Sequence, residues 1–333
     1  MPVSAQHQAV LGIALQPLAA DLRPAPGPIA VLPKPNKVFV DAVRAGGGEV
    51  AGLSHETRGV IWLSSKNAAD LVGILHEHPG IGWVQLPWAG VDAFSDVLAS
   101  HSEAERPLWT SAKGAYSQPV AEHALALALA LLRVFPKRVV ARSWASVREG
   151  VSLFGLNVLV IGAGGVTVEL MRLLKPFGVH VTVVRRSTEL MPGAERTLTS
   201  DHLLDVLPDA DVVVVAAAFT ADTAKLIGPE QLAAMKSTSV LVNIARGGLV
   251  DTDALVAALE ARTIAGAGVD VTDPEPLPDG HPLWEAPNII ITPHSADTLA
   301  MTAPLLAERI RINVEAFLGD GRFVGIVDPK LGY

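Results

Sequence analysis

The chain contains no cysteine, which removes disulfides, thiolate nucleophiles and cysteine-bound zinc from consideration. Aromatic residues make up 5% of its 333 positions and charged residues 18%. Basic residues number 26 against 34 acidic ones, for a net charge of −8. Such a balance offers no broad positive face for nucleic acid. The longest apolar run near the middle, residues 124–132, is too short to cross a bilayer. The first residues lack the basic stretch of a secretion signal, so a cytoplasmic protein is expected. Metal chemistry also finds little footing. His76 and His78, two apart, diverge on a helix. His123, after Glu122, lacks the second histidine four residues away that a zinc-protease helix needs.

Half of the residues are hydrophobic, dominated by alanine, valine and leucine with abundant glycine. That composition suits buried parallel sheets flanked by helices, and the length suggests about two domains. Residues 1–28, punctuated by Pro17, Pro24, Pro26 and Pro28, read as a loose arm or an irregular first strand. A regular alternation follows, with strands expected over 29–32, 59–63 and 81–86 and helices over 37–45 and 67–76. The Leu-Ala run over 117–133 has a period of two, yet its strong helix formers predict a helix. It is apolar on all faces, so it reads as a buried helix between two lobes and as packing rather than chemistry.

The most informative stretch is 158–186. Four apolar residues lead into Gly162-Ala163-Gly164-Gly165-Val166-Thr167; a helix and then a β-branched run follow. Strand, glycine turn, helix and strand together form the setting in which a dinucleotide fingerprint carries meaning. The glycines let the backbone approach a pyrophosphate held by amides at the helix N-terminus. Thr167 occupies the place of the third glycine, which normally lets helix and strand pack closely. About 20 residues past Gly162, where an acidic residue would bond the ribose of NAD, stand Arg185, Arg186 and Ser187. A guanidinium pairs with a 2′-phosphate, so NADP is expected over NAD.

Further strands are expected over 211–216, 240–245, 265–271 and 289–292, and a last helix over 305–318. In an open parallel sheet, functional groups gather beyond the carboxyl ends of strands. Arg246, Glu275 and His294 each follow a different expected strand there. An arginine can hold and polarise an oxoacid, a histidine can supply a proton, and a carboxylate can orient the imidazole and favour its charged form.

With these residues in place, the chain resembles the D-isomer-specific 2-hydroxyacid dehydrogenase family from about residue 29 onward. The matching segments are AGVD (89–92), VAEHALALALALLR (120–133), GAGGVT (162–167), NIARGGLVD (243–251), GAGVDVTDPEPLP (266–278) and TPH (292–294). The resemblance implies two Rossmann-like α/β lobes, with a nucleotide-binding domain (113–295) inserted in a flavodoxin-like substrate domain (1–112 and 296–333). Hinges then fall near 112 and 295, and cleft closure would exclude water.

It further implies that Arg246 binds substrate, that His294 is the acid/base with Glu275 as its partner, and that the Ala89 and Gly90 amides hold the substrate carboxylate. Trp88 could line that pocket. Gly162, Gly164, Gly165, Val166, Thr220, Ala245 and Asp270 fall at cofactor positions, with Arg185, Arg186 and Ser187 at the ribose. Residues 217–220, Ala-Ala-Phe-Thr, depart from the family's usual proline-leucine-threonine loop. The expected activity is reduction of a small 2-oxoacid, of the glyoxylate or hydroxypyruvate type, to the D-2-hydroxyacid by a homodimer joined through its cofactor domains. Larger aliphatic or aromatic oxoacids are the alternative, as is a co-repressor that keeps the nucleotide as a structural ligand.

Overall fold

The computed structural model describes residues 17–100, 107–144 and 149–328, and these form two compact α/β units. One comprises the described residues up to Tyr116 together with those from Thr298; the other runs from Ser117 to Asp297. The crossings thus lie at 116–117 and 297–298, a few residues past 112 and 295. Local bonding accounts for the first of these. The Ser111 amide donates to the Gly325 carbonyl at 2.8 Å and the Ala112 amide to the Trp88 carbonyl at 3.0 Å. The Tyr116 hydroxyl donates to the Pro87 carbonyl at 2.6 Å. Together they keep 111–116 with the first unit.

In that unit β1 (Ile29–Leu32), β2 (Gly59–Trp62), β3 (Trp83–Gln85) and β4 (Leu108–Thr110) form a parallel sheet in chain order. Val50 bridges in parallel to Ile29; because β2 occupies the other side of β1, this yields the 2-1-3-4-5 order of a flavodoxin-like sheet. Of the segment expected as an arm or irregular strand, 1–16 lies outside the described residues. The remainder holds one short 3-10 turn, Ala20–Leu22, and no strand.

The final helix, Leu299–Leu318, starts six residues before the expected 305 and runs through Pro304. Thr302, Leu306, Ile310 and Val314 are all buried in it. This four-residue spacing lays a continuous stripe against the first unit, which offsets the hydrogen bond forgone at Pro304.

A buried polar network ties this helix to the sheet. Trp83 Nε1 donates to Thr110 Oγ1 at 2.9 Å, and that hydroxyl donates to Gln85 Oε1 at 2.9 Å. Asn313 Nδ2 reaches Gln85 Oε1 at 2.7 Å and the Val324 carbonyl at 2.9 Å. Its Oδ1 accepts the Val324 amide at 2.7 Å. Arg309, 1% exposed, donates to the carbonyls of Ser111 at 2.6 Å and Lys113 at 2.8 Å. Burial pushes its pKa down to about 10, which leaves it charged at neutral pH.

The second unit carries seven parallel strands: β5 (Asn157–Ile161), β6 (His180–Val184), β7 (Arg196–Leu198), β8 (Val212–Val215), β9 (Val240–Asn243), β10 (Gly266–Val269) and β11 (Ile289–Ile291). Their order is β11-β10-β9-β8-β5-β6-β7, a doubly wound sheet whose winding reverses between β5 and β8. Leu159, Ile161, Val213 and Val215 face one core, and Val158, Val160, Val212 and Val214 the other. Burial on both faces explains why these strands read as unbroken apolar runs. The helix expected over 117–133 forms as Ser117–Leu132 and packs within this unit on the Gly165–Leu174 helix and on β9 and β10. Among the described residues no helix is long and apolar enough to cross a membrane.

The buried network gives a direct test of what holds the last helix. Asn313→Ala leaves the Val324 amide and carbonyl without their side-chain partner and takes one of two donors from Gln85 Oε1, and should lower stability by about 3 kcal/mol. Urea unfolding followed by fluorescence measures it.

Candidate active site

The glycine turn sits where the winding of the second sheet reverses. Gly162 follows β5 with φ +115°, and a Cβ there would lie 2.4 Å from the Ala216 carbonyl oxygen beyond β8. No side chain fits between these backbones. Gly164 has open space where its Cβ would project. It is the N-cap of the Gly165–Leu174 helix, with no side-chain cap and no acidic residue in the first turn. The positive end of that helix is thus left to an anion from outside.

Thr167 is fully buried, and its hydroxyl donates back to the Gly162 carbonyl at 2.9 Å. A polar residue in place of the third glycine is accommodated because its one proton finds an acceptor in the turn itself. The geometry of this turn fits a dinucleotide.

Arg185, Arg186 and Ser187 follow directly on β6, the first half-buried and the other two exposed. Beyond β8, Thr220 caps a short 3-10 turn and its amide donates to Thr223 Oγ1 at 2.8 Å. In the same loop Phe219 lies over Gly248, where a Cβ would come within 2.8 Å of the ring. The aromatic in this unusual loop therefore packs on the backbone of the arginine loop.

Arg246 leaves β9 through a turn set by Asn243, whose side chain donates to the Arg246 carbonyl at 2.9 Å and accepts the Ala245 amide at 3.1 Å. The half-buried guanidinium donates from Nη1 to the Ala245 carbonyl at 2.7 Å. Next to it, a Cβ at Gly247 would lie 1.9 Å from the Thr272 carbonyl oxygen. That backbone approach brings the loop of Arg246 against the loop that leads from β10 to Glu275.

His294 lies just past β11. Its Nδ1 is 2.6 Å from Glu275 Oε1. Because a carboxylate only accepts, Nδ1 carries the proton of this bond and Nε2 is left for another partner. The side chains are 54% and 42% exposed, so the pair is open to reactants.

The backbone of His294 is in the left-handed region, φ +48°. For a residue with a Cβ this costs about 1–3 kcal/mol, so the surroundings must enforce it. Asp270 does so. Its carbonyl accepts the His294 amide at 2.7 Å. Its carboxylate accepts the Thr292 hydroxyl at 2.6 Å and the amides of Ser295 at 2.9 Å and Ala296 at 3.1 Å. Asp270 is 2% exposed and turns inward to the segment carrying His294. Asp297, three residues beyond the histidine, has its carboxyl pushed above the usual range by burial; the charge of Asp270 adds to this and that of His294 opposes it.

Arg246, Glu275 and His294 thus lie beyond three strands, β9, β10 and β11, that are adjacent in one sheet. Trp88, Ala89 and Gly90 belong to the other unit, in the turn after β3. There Trp88 is 40% exposed, and its ring meets Tyr116 edge-on with centroids 6.3 Å apart.

Two residues near His294 were assigned no part in the chemistry from the sequence. One is Asp297. The other is His123, in the helix expected to be packing alone, whose Nε2 lies 2.9 Å from Thr292 Oγ1. The available signal was Glu122-His123, a polar pair at the head of the apolar Leu-Ala run.

Residues 124–296 match the family profile described as D-isomer specific 2-hydroxyacid dehydrogenase, NAD binding domain. An uncharacterised protein from Corynebacterium melassecola is 40% identical over 258 residues, 76% of this chain and 84% of its own length. A glyoxylate reductase from Pyrococcus furiosus is 33% identical over 221 residues, which span 62% of this chain and 65% of the reductase. Among solved structures, a D-isomer specific 2-hydroxyacid dehydrogenase from Xanthobacter autotrophicus Py2, in complex with NADPH and MES, superposes with a TM-score of 0.78 at 26% identity. The match covers 93% of this chain and 100% of that one. With its doubly wound sheet, glycine turn and paired histidine and glutamate, the chain belongs to the D-isomer-specific 2-hydroxyacid dehydrogenase family of NAD(P)-dependent oxidoreductases.

Proposed function

We propose that the protein reduces a small 2-oxoacid, of the glyoxylate or hydroxypyruvate type, to the D-2-hydroxyacid with NADPH as the preferred cofactor. The observation that carries this reading is the 2.6 Å contact of His294 Nδ1 with Glu275, on the same sheet edge as Arg246 and the glycine turn. The relation to a glyoxylate reductase and the likeness to a structure holding NADPH support the substrate size and the cofactor.

In this reading Ser117–Asp297 is the nucleotide-binding domain and the other unit the substrate domain. Gly162, Gly164, Gly165 and Val166 receive the pyrophosphate, and Arg185, Arg186 and Ser187 the 2′-phosphate. Thr220, Ala245 and Asp270 line the rest of the cofactor site, with Asp270 acting mainly through the turn it holds. When bound, the nicotinamide supplies the hydride for the substrate carbonyl carbon.

The chain's own residues do the remainder. Ala89 and Gly90 present backbone amides to the substrate carboxylate, with Trp88 beside them, and Arg246 polarises the oxoacid through charge-assisted hydrogen bonds. His294 binds as the imidazolium, with Nδ1–H held by Glu275 and Nε2–H directed to the carbonyl oxygen. It delivers that second proton as negative charge develops on the oxygen. Glu275, by accepting from Nδ1–H, fixes the ring so that Nε2 faces the carbonyl oxygen.

Oxidation of NADPH with glyoxylate or hydroxypyruvate, followed by loss of nicotinamide absorbance, is the expected result across a panel of oxoacids. Turnover of branched or aromatic oxoacids alone would move the reading to a larger pocket. Binding of both cofactors without any turnover would favour a nucleotide-binding protein of the co-repressor kind. His294→Ala should lower kcat by about 100-fold or more while leaving NADPH affinity within about twofold; substantial remaining turnover would remove His294 as the proton donor. Arg185→Asp should weaken NADPH binding by about 10- to 100-fold and NADH binding far less, as measured by fluorescence titration.

The proposal includes a cytoplasmic homodimer joined through the nucleotide-binding domains. Six large apolar side chains between positions 135 and 154 are exposed in that unit: Phe135, Val139, Val140, Trp144, Val151 and Phe154, with Trp144 at 99%. Exposed apolar side chains of this kind support an interaction surface in that unit. Sedimentation should show a dimer for the native chain and a monomer for Trp144→Glu.

A further inference from the structure

The chain of contacts behind His294 continues outward from Asp270 to a residue that the proposed reaction does not itself use. Thr292 Oγ1 lies 2.6 Å from Asp270 Oδ1 and 2.9 Å from His123 Nε2. A threonine hydroxyl has one proton to give. The Asp270 carboxylate also accepts two backbone amides, one at Oδ1 and one at Oδ2, so both of its oxygens act as acceptors. The hydroxyl proton therefore goes to Asp270, and Thr292 Oγ1 is left to accept. His123 Nε2 must then be the donor, which sets the tautomer of that imidazole. The same nitrogen is 3.6 Å from Asp270 Oδ1, too long for a second good hydrogen bond.

His123 is itself firmly placed. It belongs to the Ser117–Leu132 helix, in which Ala121, Ala124, Leu127 and Ala128 are buried. That helix packs on the Gly165–Leu174 helix, at whose start the glycine turn lies. By contrast, the segment carrying His294 is exposed at 293–295 and holds a non-glycine residue at positive φ. Such a segment keeps its shape only if its anchors are fixed. Asp270 anchors it from the strand side, and His123 fixes the hydroxyl through which Thr292 reaches Asp270.

We propose that His123 is a positioning residue for His294, acting through Thr292 and Asp270. The proposal rests on His294 being the proton donor of an oxoacid reductase, as argued above. His123 touches neither substrate nor the reacting atoms; it holds the conformation in which Nε2 of His294 meets the carbonyl oxygen. What it must supply is a fixed N–H donor, not a charge. Glutamine at this position can provide that donor, whereas alanine cannot.

The test uses the full chain and four variants: His123→Ala, His123→Gln, Thr292→Val and the double variant His123→Ala/Thr292→Val. The first readout needs no substrate. Hydrogen exchange of the Ser295 and Ala296 amides, followed by mass spectrometry, should quicken by about tenfold in His123→Ala and stay near the native rate in His123→Gln. The second is steady-state reduction of the oxoacid. In His123→Ala kcat should fall by about tenfold, with KM for the oxoacid and Kd for NADPH within about twofold, because a misplaced acid affects the chemical step. His123→Gln should recover most of the loss.

In the Thr292→Val background, His123→Ala should have no further effect, since the hydroxyl through which it acts is gone. Native kcat and exchange in His123→Ala would overturn the proposal. So would losses in His123→Gln as large as those in His123→Ala, or additive effects in the double variant. If the native chain reduces no oxoacid, the reading of its function fails, and the exchange measurement alone still decides whether His123 holds the turn.

Discussion

The buried carboxylate of Asp270 gathers the segment on which the candidate chemistry depends. Through one carbonyl and two carboxylate oxygens it holds the amides of His294, Ser295 and Ala296 and the hydroxyl of Thr292. A carboxylate at 2% exposure is costly to bury unless each oxygen is met by donors. Here the donors come from the turn whose shape is needed, so the two requirements are met by the same bonds. The left-handed backbone of His294 is a consequence of that arrangement. So is the direction of its ring toward Glu275, with the second nitrogen outside that bond.

Close backbone approach does comparable work elsewhere in the second unit. At Gly162 and Gly247 a Cβ would collide with a carbonyl from the neighbouring loop. The first approach closes the crevice where the winding of the sheet reverses. The second brings the arginine loop against the loop that leads to Glu275. These are steric conditions rather than attractive contacts, and they allow short loops from separate strands to converge. Thr167 shows how far the fingerprint can vary: a side chain enters the helix–strand contact because its hydroxyl is satisfied within the turn.

The first unit solves a different problem, since its last helix arrives from the far end of the chain. An apolar stripe supplies the bulk of that contact, and Gln85, Thr110 and Asn313 supply direction through hydrogen bonds that only one register satisfies. Without cysteine, this chain has no disulfide to fasten the return, and buried polar pairing provides the specificity instead.

Much of the architecture was legible in the residues themselves. Unbroken apolar runs ending in glycine or polar loops announced parallel strands buried on both faces, because such strands need no polar side. The glycine turn, Arg246, Glu275 and His294 could be named in advance, since residues just past strand ends share one edge of an open sheet. Short pieces that mix polar and apolar residues were less readable: β4 (Leu-Trp-Thr) and β7 (Arg-Thr-Leu) lack the unbroken apolar run that marks β8 or β11. The start of the last helix was hidden by Pro304, because local propensity does not register the stripe that carries the helix through it. His123 was hidden for another reason: it lies in a helix with its own local explanation, and its contact is with Thr292, distant in sequence. The sequence by itself determined the two α/β units, the glycine turn and the candidate groups beyond the strand ends, because these follow from periodicity and side-chain chemistry. Only the tertiary structure decided how His294 is held, because that depends on a carboxylate, a hydroxyl and an imidazole from three separate elements meeting at hydrogen-bond distance.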